Sequence, residues 1–141
     1  MKENPKNIDE AIELFKKHAK AEDLQKWAKE PEESAGVSIH HGSGTALRND
    51  WGLWGVGEDK TDIYLWFNTI GIAMGDDLSA IIFKSLHRHL NNKPLDLQEQ
   101  VKEYWKHWRE YKASEYLPPN IPGCSQEYLD LYNKAVEAGE I

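Results

Sequence analysis

The densest chemistry in this chain lies in one run, His40-His41-Gly-Ser-Gly-Thr-Ala-Leu-Arg48-Asn49-Asp50-Trp51-Gly-Leu-Trp54. Gly42 and Gly44 allow the backbone to turn sharply. A helix starting near Thr45 then presents unpaired N–H groups and the positive end of its dipole, which attract anions. Ser43 and Thr45 add hydroxyl donors. Arg48, one turn further along, offers a bidentate fork for phosphate or carboxylate, and His40 or His41 offers another donor. Trp51 or Trp54 can stack on a base, since ligand sites combine apolar rings with a few directed polar groups. These parts suit a small, nucleotide-like anion. The same residues also have plainer uses: Ser43 or Thr45 as a helix cap, Arg48 as an ion-pair partner of Asp76 or Asp77, both tryptophans as core.

Two cofactor classes do not fit the run. It lacks the Gly-Lys-Ser/Thr ending of a Walker loop, and it lacks the third glycine and preceding strand of the dinucleotide fingerprint. No cofactor is expected. His40, His41 and His87 with Asp76 or Asp77 could form a mixed nitrogen and oxygen metal site, but the paired spacing of H-E-x-x-H is missing, so no metal is expected either. A histidine beside Asp76 or Asp77 would allow acid-base chemistry. Against this, both aspartates suit the first turn of a helix, where they stabilise the dipole. His87 falls at the edge of an apolar stripe, with Arg88 turned away from it. No nucleophile stands out, because Cys124 sits in a proline-bounded loop and Ser43 lacks an elbow sequence.

The run HHGSGTALRNDWGLW resembles the signature of an uncharacterised family of small bacterial and phage proteins, H-x-G-x-G-x-x-[LI]-R-N-x-W-G-L-W. Downstream, GIAMGDDLSAIIFKSLHRHL resembles that family's second signature, a D-D-[ML]-S followed by an apolar helix ending in S-x-H-R-x-L. The resemblance spans residues 39 to 100 and leaves out 1 to 36 and 117 to 141. It implies His41, Gly42, Gly44, Arg48, Asn49, Trp51, Trp54, Asp76, Asp77, Ser79, His87 and Arg88 as the pattern positions, and no known activity. Ala46 and Met74-Gly75 depart from the pattern.

The elements that must position these residues read as helices. Asn7 caps a helix over residues 8 to 20, and a second covers 22 to 29 before Pro31 stops it. Thr45 to Trp51 reads as a short helix. The run from Thr61 fits a short buried helix stopped by Gly71, although a strand has the same apolar signal. Asp76 and Asp77 precede a strongly periodic central helix over residues 77 to 91. Asp96 can cap the next, carrying Val101, Trp105 and Trp108 to near Lys112. Leu117 to Gly123 holds three prolines and reads as an extended loop, after which Ser125 caps a terminal helix. The expected fold is all-α, a compact single-domain bundle over residues 1 to 141 with about five to seven helices and a proline-rich loop before the last.

Composition bounds the rest. At 141 residues the chain fits one domain with its own core. The net charge of −7 comes mostly from the two ends, and no basic stripe suits duplex nucleic acid. A single cysteine suits a reducing compartment, and no apolar signal core or run of about 18 apolar residues is present, so a cytoplasmic location without membrane contact is expected. The function expected is non-enzymatic binding of a small anionic, phosphate-bearing ligand. The alternatives are a protein-interaction or inhibitor domain, or a self-associating one, acting through acidic flanks and the aromatics of residues 104 to 116, and, third, a small His/Asp hydrolase.

Overall fold

The computed structural model describes residues 4–34, 50–52 and 60–141. Among them every regular element is helical. In chain order these are α1 (Ile8–His18), α2 (Ala21–Ala28), α3 (Asp62–Thr69), α4 (Gly75–Leu90), α5 (Leu97–Glu110), two 3-10 turns (Ser114–Tyr116 and Pro118–Asn120) and α6 (Gln126–Glu137). The strand alternative for the run after Thr61 is thereby removed.

Local chemistry sets most boundaries. The Asn7 side chain accepts from the Glu10 N–H, Thr61 from Tyr64, and Ser125 from Tyr128, so three helices start on side-chain caps. Asp96 is a correction. It occupies the N-cap position of α5 in the left-handed region, at φ 50°, and its side chain makes no capping bond. Its carboxylate instead reaches Arg88 Nη1 at 3.4 Å. The proline segment is a second correction. Pro118 and Pro119 open a 3-10 turn rather than an extended loop, because their fixed φ suits a first helical turn and their missing N–H groups are not needed there.

The core lies around α4. Leu78, Ile81, Ile82 and Leu86 on its inner face are at most 1% exposed, and they pack with Ile8 and Ile12 of α1, Ile63 and Phe67 of α3, and Val101 and Trp105 of α5. Each such side chain contributes roughly 1.5–3 kcal/mol by leaving water. From α6, Tyr128 and Tyr132 meet Trp105 edge-on at 6.4 and 5.5 Å. Gly71 stops α3 at φ +82°, and its carbonyl accepts from the Trp105 indole at 2.9 Å, tying the α3–α4 corner to α5. No helix among the described residues is long and apolar enough to cross a membrane.

Candidate functional site

His40, His41, Ser43, Gly44, Thr45, Arg48, Asn49 and Trp54 lie outside the described residues. The remaining expected site residues fall in three places.

Trp51 belongs to the core. It is 7% exposed, meets Phe15 edge-on with ring centres 6.3 Å apart, and its carbonyl accepts from Thr61 Oγ1 at 2.8 Å. Core packing accounts for this ring without a ligand.

His87 and Arg88 sit at the C-terminal end of α4. His87 is buried, stands edge-on to Trp27 at 5.1 Å, and lies 2.9 Å from the Glu30 carbonyl through Nε2. A carbonyl can only accept, so Nε2 carries the proton. Arg88 forks onto Glu32, Nε to Oε1 at 2.8 Å and Nη2 to Oε2 at 3.4 Å, and Nη1 reaches the Leu95 carbonyl at 3.1 Å. That hydrogen bond holds the Glu32 carboxyl below its usual range. Asn91 completes the grip by donating to the Ala28 carbonyl. These side chains pin the segment after α2 to α4.

Asp76 and Asp77 sit at the other end of the same helix, as expected for the first turn. Ten residues separate Asp77 from His87, roughly 15 Å along a helix, so the two do not share a site. Asp77 differs from an ordinary first-turn acid. It is 7% exposed, its Oδ2 accepts from Trp108 Nε1 at 2.7 Å, and burial pushes its pKa up to about 6, against the opposing effects of that hydrogen bond and of His107. Burial, with the charges of Asp77 and Glu103, also raises the Tyr104 hydroxyl. Trp108 in turn lies 4.7 Å from the Tyr116 ring.

Tyr116 lines a cleft of about 460 Å³. One wall is α3 and its lead-in, where Lys60, Tyr64 and Asn68 recur every four residues and so share a face. Met74 and Gly75, where α4 begins, lie between. The 3-10 turns also contribute to the lining, through Glu115, Tyr116 and Asn120. The Lys60 ammonium stands 5.5 Å over the Tyr64 ring. The volume falls in the range of small-ligand pockets. Sequence reasoning did not find this cleft. The spacing of Lys60, Tyr64 and Asn68 was a usable signal, a polar line along an otherwise apolar helix. The lining from the 3-10 turns, over fifty residues later, gave none.

Chemically, the cleft can hold a small molecule against two phenol rings, with one cation, one carboxylate and two amides for directed contacts. Burial raises the Cys124 thiol, which makes it a poor nucleophile. No group of three metal-ligating side chains occurs among the described residues.

Fold and site together define an all-helical domain with a partly polar cleft at the start of its central helix. The chain belongs to the family described as a domain of unknown function, DUF6794, whose model matches residues 4–90. The match reaches back through α1 and α2, which the resemblance over residues 39 to 100 leaves out, and it ends with α4. One wall of the cleft and the start of α4 are therefore inside the matched region, and the wall bearing Tyr116 is outside it. No curated protein and no solved structure matches the chain.

Proposed function

We propose that this protein is a non-enzymatic binding domain for a small anionic, phosphate-bearing ligand, which it sequesters in the cytoplasm of a bacterial or phage-infected cell. The observation that carries this reading is the cleft where α4 begins, which combines the Lys60 ammonium with aromatic walls. The His40–Trp54 run, with Arg48 as its anion-binding side chain, supplies the rest of the recognition on the strength of its sequence. Sequestration rather than turnover is favoured by the separation of Asp77 from His87 along one helix and by the absence of an activated nucleophile at Cys124.

Equilibrium dialysis against a mixed pool of nucleoside phosphates tests it. Retention of an intact ligand supports binding. Conversion of the ligand would favour the hydrolase alternative, and no retention would contradict the proposal. A second reading, docking of a protein partner, is favoured by Tyr111, which is 71% exposed and lies 4.6 Å from the His107 ring.

A further inference from the structure

We propose that Asp77 couples the cleft to pH: an anion bound where α4 begins drives uptake of a proton by this carboxylate, so that the cleft holds anions in mild acid and releases them as pH rises. This rests on the small-anion reading of the same cleft and adds its regulation.

Position comes first. Met74 and Gly75 line the cleft, and Asp77 follows Gly75 by two residues in the first turn of α4. That spacing puts the two α-carbons about 5.4 Å apart on a helix. An anion against Gly75 therefore lies within roughly 10 Å of the Asp77 carboxylate, close enough for two poorly screened charges to act on each other.

The carboxylate cannot retreat from such an anion. It is 7% exposed, and its Oδ2 is held by Trp108 Nε1 at 2.7 Å. Trp108 in turn lies 4.7 Å from the ring of Tyr116, which lines the cleft. Asp77 thus sits fixed behind the cleft with little water to screen it.

The sign of the coupling follows. Burial has already pushed the Asp77 pKa up to about 6, with Asp76 adding to the rise and Trp108 and His107 opposing it. A bound anion disfavours the ionised carboxyl further and raises this pKa again. Linkage is reciprocal, so ionised Asp77 weakens the anion by the same factor, about tenfold at this distance. Affinity is full below the free carboxyl's pKa and falls as pH rises towards the raised one.

The other titratable groups facing Asp77 are Asp76 in its own turn, and His107 and the Tyr104 hydroxyl on α5. Tyr104, raised by burial and by the charges of Asp77 and Glu103, stays protonated throughout. A histidine gains positive charge in acid and favours an anion with the same sign, so His107 needs its own variant.

Calorimetric titration of the full chain at pH 6 and pH 8 tests the coupling, with sulfate, whose charge is constant over this range, and with ATP. For each anion, the affinity at pH 6 relative to pH 8 should be about fivefold higher in wild type than in Asp77→Asn. Asp77→Asn should also bind sulfate more tightly than wild type at pH 8, and His107→Gln should keep the wild-type ratio. Asparagine retains an acceptor for Trp108, and His107 is exposed, so unchanged circular dichroism separates lost coupling from lost folding. Binding with the same ratio in wild type and Asp77→Asn, or a ratio lost in His107→Gln, overturns the inference and leaves the anion reading standing. If neither sulfate nor ATP binds at either pH, the anion reading fails with it.

Discussion

The Trp108 indole of α5 donates to the Asp77 carboxylate at the start of α4 across 2.7 Å, joining the first turn of one helix to the last turns of another. A carboxylate with this little solvent is held at a cost. Its pKa is carried from 3.8 to about 6, chiefly by burial, with Asp76 adding to the rise and Trp108 and His107 opposing it.

The sign of the pH dependence follows. Between 3.8 and about 6 the folded state holds a proton that the unfolded state has lost, so stability falls as pH rises through that window. The penalty is complete above it and absent below it, and amounts to on the order of 3 kcal/mol. Asp77→Asn keeps an acceptor for Trp108 and removes the charge. Denaturant unfolding should find the variant more stable than wild type at pH 8, with the two converging by pH 4. Equal stabilities at pH 8 would mean that the carboxylate is well solvated.

Gly71→Ala tests the corner between α3 and α4. A Cβ there would come within 2.9 Å of Trp105 Cζ2 and 3.0 Å of Pro118 Cγ, at a φ of +82° that side chains resist. Gly123 has a similar φ of +85° with open space around it. Gly123→Ala should therefore cost about 1–2 kcal/mol from backbone strain alone. Gly71→Ala should cost clearly more, because the indole that bonds its carbonyl must move. Equal losses in thermal unfolding would show that Trp105 gives way freely.

Arg48 and Trp51 should separate binding from folding. Truncating the buried ring of Trp51 to alanine should cost roughly 3–5 kcal/mol. Arg48 lies beside the Leu47 and Trp51 stripe in sequence, outside the described residues. Arg48→Ala should leave the melting temperature near wild type while weakening an anionic ligand by roughly 1.5–3 kcal/mol. A melting temperature lowered as far as that of Trp51→Ala, with no ligand bound, would make the arginine a structural ion-pair partner.

These contrasts follow the line between what was legible in the sequence and what was not. The apolar stripe of Leu78, Ile81, Ile82 and Leu86 and the caps at Asn7 and Ser125 are local patterns, and the helices they specify are present. Asp96 misled because its carboxylate had a stronger partner in Arg88 than a backbone N–H, a contact eight residues back that propensity does not weigh. The prolines misled because the same fixed φ serves an extended loop and a 3-10 turn. Asp77 read as a first-turn acid stabilising the dipole, since nothing near it in sequence announces Trp108. The cleft was invisible for the same reason: its walls meet only after α5 folds back over α3 and α4. The His40–Trp54 run was the strongest chemical pattern in the chain, and the binding proposal still depends on it.

Mass spectrometry of the supernatant after denaturing the purified chain tests the central claim most directly, because it needs no prior choice of ligand. An intact, phosphate-bearing small molecule should be released in near-stoichiometric amount, and be lost from Arg48→Ala material purified in parallel. A supernatant free of any such molecule, from protein that also retains none of the nucleoside phosphates offered in dialysis, would contradict it.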